Sequence, residues 1–167
     1  MDYTIFHAIN GLAGRSHLLD QIGIFFAEYF LYVLVVLVAA LWFNKSLRSR
    51  VYLAAVNSVV ARLVIVEIIK RIADRPRPYE VIQVNKLIID NERGNSFPSG
   101  HTVFFFAIAF SFYGTKWFWP LVILAAIGSV ARVFVGVHYP ADVVVSVILA
   151  AVTVPIFFYL FRKQKLL

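Results

Sequence analysis

The sequence predicts an all-α integral membrane protein with about five transmembrane helices and a short N-terminal amphipathic interfacial helix. Two observations carry that prediction. Hydrophobic residues make up 61% of the 167 residues and arrive in long blocks, beyond the roughly 45–50% apolar content of a soluble domain. Charged residues are only 15% of the chain and stand mostly at the ends of those blocks, where topology and lipid headgroups account for them. No cysteine is present, which excludes disulfides, thiolate nucleophiles and Cys-based metal sites. The length suits a single domain over residues 1–167. A net charge of +7 in this setting belongs to the lipid bilayer, and no nucleic acid partner is predicted. The start at Met1-Asp2-Tyr3 lacks the basic region and cleavage site of a signal peptide.

In residues 2–13, Tyr3, Phe6, Ile9 and Leu12 recur three apart, with Asp2, His7 and Asn10 between them. This predicts an amphipathic helix lying along the interface, ended by Gly11 and Gly14. The first span is predicted from Ile22 to Phe43 with Asp20 as its cap, followed by a basic turn, Asn44–Arg50. The second covers Val51 to Ile72 and stops at Asp74-Arg75-Pro76-Arg77-Pro78, where two prolines forbid helix. The connection from Tyr79 to Phe97 is long for so small a protein, and its Val81, Ile82, Leu87 and Ile88 predict a lip on the membrane surface beside the site. The third span, Ser99 to Thr115, has only about 17 residues, so its start must sit below the near surface. The fourth runs from Trp117 to Phe134 and the fifth from Ala141 to Phe161.

Five spans fix a topology. The turns after spans one and three and the C-terminal tail carry Lys45, Arg48, Arg50, Lys116, Arg162, Lys163 and Lys165, with no acidic residue. The positive-inside rule makes that side cytoplasmic, the C-terminus included. Three polar motifs then fall together on the extracytoplasmic face of the cell membrane. They are Lys70…Arg77-Pro78, Phe97-Pro98-Ser99-Gly100-His101 and Arg132…His138…Asp142.

Each charge at membrane depth costs about 2.5–3.5 kcal/mol on insertion scales, so a cluster needs a reason. Lys70, Arg77 and Arg132 offer three cations, two of them guanidiniums whose planar fork suits phosphate oxygens. Ser99 offers a hydroxyl, Gly100 lets backbone approach a ligand, and the helix starting there aims N–H groups at it. If a helix begins near Pro140, Asp142 reaches His138 and fixes its tautomer, which makes His138 a credible nucleophile. His101 would face the leaving group as general acid. Two histidines and an aspartate also suggest a metal site, but a divalent cation would not readily share a pocket with a lysine and two arginines. Glu28 and Arg62 lie outside these motifs. At about 1.5 Å per residue both sit about 12 Å below the outer surface, which predicts an ion pair between them under the site.

Lys70-x6-Arg77-Pro78, Pro98-Ser99-Gly100-His101 and Arg132-x5-His138-x3-Asp142 resemble, in order and spacing, the three signature motifs of the type 2 phosphatidic acid phosphatase superfamily. That group includes membrane lipid phosphatases and is related to vanadium haloperoxidases. The resemblance covers the chain from Lys70 onward. It implies a metal-independent phosphatase without cofactor, working through a phosphohistidine on His138, with Asp142 orienting it and His101 protonating the departing group. Lys70, Arg77, Ser99, Gly100 and Arg132 would hold the phosphate. Ala131 stands where the family's third motif usually has serine, so one hydroxyl contact is expected to be weakened. The small size, the N-terminal segment and the outward site look most like bacterial undecaprenyl pyrophosphate phosphatases of the bacitracin-resistance type. Phosphatidylglycerophosphate or phosphatidic acid phosphatase is the runner-up. Readings from other classes are a catalytically silent lipid-binding relative and a small transporter. The intact His138–Asp142 pair argues against the first, and the clustering of charges at one face argues against the second.

Overall fold

In the computed structural model, which describes residues 2–89 and 95–164, the regular structure among those residues is helical throughout. Helix α1 is Asp2–Asn10. Helix α2, His17–Phe43, is followed by α3 over residues 48–73 and by a short α4, Pro78–Val81. Helices α5 (Gly100–Ser111), α6 (Phe118–Phe134) and α7 (Pro140–Lys163) complete the bundle. Among the described residues, three segments are long and apolar enough to cross a membrane, namely His17–Phe43, Lys45–Val81 and Pro140–Lys163, while α5 and α6 are shorter apolar helices.

The hub is α5, which packs against α3, α6 and α7. Its Val103, Phe105, Ala107 and Ala109 are fully buried. Its 12 residues rise about 18 Å, well short of a hydrocarbon core of about 30 Å, so its start at Ser99 and Gly100 is sunk into the bundle. Small residues bring the helices close. A Cβ on Gly128 of α6 would lie 2.7 Å from the Phe105 ring and 3.2 Å from that of Phe30, so glycine sets this crossing. Buried hydroxyls are satisfied inside their own helices: Ser111 and Ser129 each donate to the carbonyl four residues back at 2.7 Å. The outer surface is apolar, with Val36, Ile123, Ile148 and Val152 all more than half exposed, as a lipid-facing surface must be. This is a membrane protein.

Several local expectations change. Helix α2 begins at His17, and Asp20 lies inside its first turn, accepting from the Gly14 N–H at 2.9 Å instead of capping. Both α2 and α3 contain a π-helical turn, at Phe25–Tyr29 and Ala61–Val66. Helix α1 does not simply float on lipid, because Phe6 and Asn10 are buried against the protein. The predicted lip is likewise packed on protein over residues 79–89. Asn85 bonds to Asn10, and the Leu87 N–H donates to the Val135 carbonyl at 3.3 Å. Residues 90–94 of that connection and Lys165 of the basic tail lie outside the described residues.

Candidate active site

The site forms where the start of α5, the turn before α7 and the break after α3 meet. Ser99 caps α5, accepting from the Thr102 N–H at 3.5 Å and from the Thr102 hydroxyl at 3.1 Å. Its own N–H donates to Ser146 Oγ at 2.8 Å, and that hydroxyl donates to the Asp142 carbonyl at 2.6 Å. The Ser-Gly-His segment is therefore tied directly to the first turns of α7.

Three cations are buried around it. Arg77 is fully buried at the start of α4, where its N–H donates to Glu80 Oε2 at 2.7 Å and its Nη1 to the Val137 carbonyl at 3.5 Å. Arg132 is also buried, and its Nη1 donates to the Ala27 carbonyl of α2 at 3.2 Å. Lys70 is buried near the end of α3, where its carbonyl accepts from Asn95 Nδ2 at 2.9 Å. That bond, with Ser96 N–H donating to the Arg75 carbonyl at 2.8 Å, laces the first motif to the segment preceding the second.

His138 is fully buried in the turn before α7, its Nδ1 3.5 Å from Asp142 Oδ2. The same carboxylate oxygen accepts from the Tyr139 N–H at 2.9 Å. The His138 pKa falls below its ordinary value of 6.5. Burial is the largest cause, opposed by the Asp142 carboxylate and reinforced by the Arg132 and Arg77 charges. The imidazole is thus neutral near pH 7, with Nε2 on the side away from the carboxylate. The adjoining Tyr139 phenol is pushed up to about 12, first by burial, and stays protonated.

Two residues here escaped the sequence reading. Arg75 donates from Nη1 to Asp142 Oδ1 at 2.6 Å and from Nη2 to Asp2 Oδ2 at 2.6 Å. Its guanidinium also lies 4.2 Å from the centre of the Tyr139 ring. Asp2 accepts from the Ala141 N–H with its other oxygen at 2.9 Å, so α1 closes the back of the site. The only signal for Arg75 was its place in the proline-rich break beside Arg77. Asp2 carried none.

His101 is half-buried and lines a cavity of about 200 Å³ with Glu28, Tyr32 and Arg62. No hydrogen bond among the described residues joins it to His138. The expected Glu28–Arg62 ion pair does not form among the described residues, although both side chains line this one cavity. The reason is helical register. Glu28 lies within the π turn of α2 and Arg62 within that of α3, and each inserted residue turns its side chain away from the straight α-helical estimate. Among the described residues no three His, Asp or Glu gather as a metal-ligand set.

A sequence profile described as PAP2 superfamily matches residues 51–166. Undecaprenyl-diphosphatase BcrC of Bacillus subtilis (strain 168) is 36% identical over 171 residues, covering 100% of this chain and 86% of that protein. Among solved structures, that of Aquifex aeolicus LpxE superposes with a TM-score of 0.79 at 29% identity, covering 95% of this chain and 94% of the other. The PAP2-type phosphatidylglycerolphosphate phosphatase of Bacillus subtilis shares the fold, with a TM-score of 0.68 at 22% identity over 96% of this chain and 86% of that one.

Proposed function

Because this chain belongs to the PAP2 superfamily, we infer that it is a lipid phosphatase that hydrolyses undecaprenyl pyrophosphate to undecaprenyl phosphate and inorganic phosphate. The substrate follows the name of the Bacillus subtilis relative, an undecaprenyl-diphosphatase similar over the whole of this chain. The observation that carries the chemistry is the fully buried His138 held beside an Asp142 whose other oxygen is taken by Arg75.

His138 Nε2 attacks the terminal phosphorus while Lys70, Arg77, Arg132 and the Ser99–Gly100 segment hold its oxygens. The bond to the bridging oxygen breaks, its electron pair stays on that oxygen, and His101 supplies the proton as the lipid monophosphate leaves. A water molecule then attacks the phosphohistidine. The P–N bond breaks toward nitrogen, His101 takes the proton from water, and inorganic phosphate departs. No metal or other cofactor takes part in this scheme. Helices α2, α3, α5, α6 and α7 each cross the bilayer, the site opens on the extracytoplasmic face of the cell membrane, and the C-terminus is cytoplasmic. Phosphatidylglycerophosphate is the competing headgroup, since the Bacillus subtilis fold relative bears that name.

Phosphate release by the purified protein in detergent tests this reading against undecaprenyl pyrophosphate, phosphatidylglycerophosphate and phosphatidic acid. The diphosphate is expected to turn over fastest and to do so equally well in EDTA. His138→Ala is expected to lower the rate by about 10⁴-fold or more. Activity that disappears in EDTA and returns with a divalent ion would refute the metal-independent scheme.

A further inference from the structure

Arg62 belongs to none of the three motifs, yet the fold brings it to the edge of the site. Its Cγ and Nε lie 3.8 and 4.0 Å from where a Cβ on Gly100 would stand, so its side chain runs along the backbone of the Ser-Gly-His segment. It lines the cavity of about 200 Å³ in which His101, Glu28, Tyr32 and Phe104 also stand. Two π-helical turns, one on each side, place Glu28 and Arg62 there, and such turns re-aim side chains where an α-helix would point them elsewhere.

We propose that this cavity is a second phosphate subsite and that Arg62 binds the departing phosphate of a lipid diphosphate; this rests on the diphosphatase reading above. A monophosphate ester presents one anionic group, the one held by Lys70, Arg77 and Arg132 in the proposed reaction. A diphosphate presents two. When the bond between terminal phosphorus and bridging oxygen breaks, the electron pair and the new negative charge pass to the phosphate that stays on the lipid. That phosphate lies on the side of His101, which supplies its proton, and Arg62 is the cation lining the His101 cavity. A guanidinium there stabilises charge that grows in the transition state. Glu28 in the same cavity offsets one positive charge, which favours release of the lipid monophosphate after cleavage.

The test compares wild type, Arg62→Gln and Arg62→Lys in detergent, with two readouts. In the first, kcat/KM is measured on undecaprenyl pyrophosphate and on phosphatidic acid. Arg62→Gln is expected to lose about 10–100-fold on the diphosphate, as for a lost charged hydrogen bond, and less than about threefold on the monophosphate. Arg62→Lys should recover part of the loss. In the second, thermal stabilisation by inorganic pyrophosphate is compared with that by orthophosphate. Arg62→Gln should lose the extra stabilisation by pyrophosphate and keep that by orthophosphate, at an unchanged melting temperature without ligand. Equal loss on both substrates, or wild type gaining no more from pyrophosphate than from orthophosphate, overturns the second subsite. If Arg62→Gln fails to fold, Arg62→Lys must still weaken pyrophosphate selectively; equal weakening of both ligands overturns the proposal. Wild type that shows the selective pyrophosphate shift but no turnover of lipid diphosphate would overturn the proposed activity and leave the subsite standing.

Discussion

Arg75 joins three distant parts of the chain, since one guanidinium bonds Asp142 and Asp2 and covers the Tyr139 ring. An Asp142 carboxylate anchored through Oδ1 can present Oδ2 to His138 in one orientation only. Arg75→Ala is therefore expected to lower kcat by about 10–100-fold, the effect of losing a charged hydrogen bond worth about 1.5–3 kcal/mol. KM should stay within about threefold, because the phosphate-binding cations are untouched. Arg75→Lys should recover part of kcat. Wild-type kcat combined with a lower melting temperature would reduce Arg75 to a structural tether. Arg132 was legible in the sequence because a charge at the end of a run of Val, Ile and Ala residues stands out at once, and Lys70, Arg77, His138 and Asp142 because of their motif spacing. Arg75 was not, because in Asp74-Arg75-Pro76-Arg77-Pro78 every charge looks like the end of a span. Its two carboxylate partners lie 67 and 73 residues away. Glu28 and Arg62 were legible as anomalies and misread as partners, because nothing in their side chains announces a π turn.

The helices themselves were easier to read than the faces they turn inward. A helix that is apolar all round gives no stripe to follow. Here α5 buries nearly every side chain, whereas α2 and α7 show most of theirs to lipid. The elements that changed most were the two without spanning length, α1 and the strap over residues 82–89. Both are fixed by a reciprocal amide clasp. Asn10 Nδ2 donates to the Asn85 carbonyl at 2.9 Å and to the Phe134 carbonyl at 2.8 Å, while Asn10 Oδ1 accepts from the Asn85 N–H at 2.9 Å. Asn85 Nδ2 in turn donates to the Asn10 and Ala13 carbonyls at 3.3 and 3.1 Å. Gly136 completes the clasp: with φ at +86°, a Cβ there would come 3.2 Å from both Asn10 Nδ2 and the Asn85 carbonyl. Asn10→Ala leaves buried carbonyls without donors and is expected to destabilise this region by about 2–3 kcal/mol. Limited proteolysis checks it, since the strap should be cut faster in Asn10→Ala while the helical bundle stays intact. Equal cutting rates would show that the apolar contacts of Phe6 and Ile88 suffice to hold the strap.

At the scale of the whole molecule, polar chemistry and basic anchors separate to opposite ends of the bundle. Asp2, Arg75, Ser99 and Asp142 are hydrogen-bonded together at one end through Ser146 and Ala141. At the other end, Arg50 Nη1 donates to the Ser111 carbonyl at 3.3 Å, and its guanidinium lies 5.3 Å from the Phe158 ring near the C-terminal end of α7. Lys45, Arg48, Lys116, Arg162 and Lys163 are near this second end in sequence. In the proposed orientation an anionic inner leaflet attracts that basic end to the cytoplasm, and the His138 end faces outside. The natural chain has no cysteine, so single introduced thiols report sidedness without background. Gln83, exposed on the strap beside the site, and Lys45, exposed between α2 and α3, suit this purpose. In intact cells an impermeant maleimide is expected to label Gln83→Cys and to label Lys45→Cys only after the membrane is opened. Labelling of Lys45→Cys from outside would invert the protein, and its substrate would then have to come from the cytoplasmic leaflet. Labelling of both from outside would mean that one of the short helices, α5 with its 12 residues or α6, fails to cross. With α5 so short, a crossing α5 requires the bilayer to thin or the polar Ser99 end to lie under a water-filled opening.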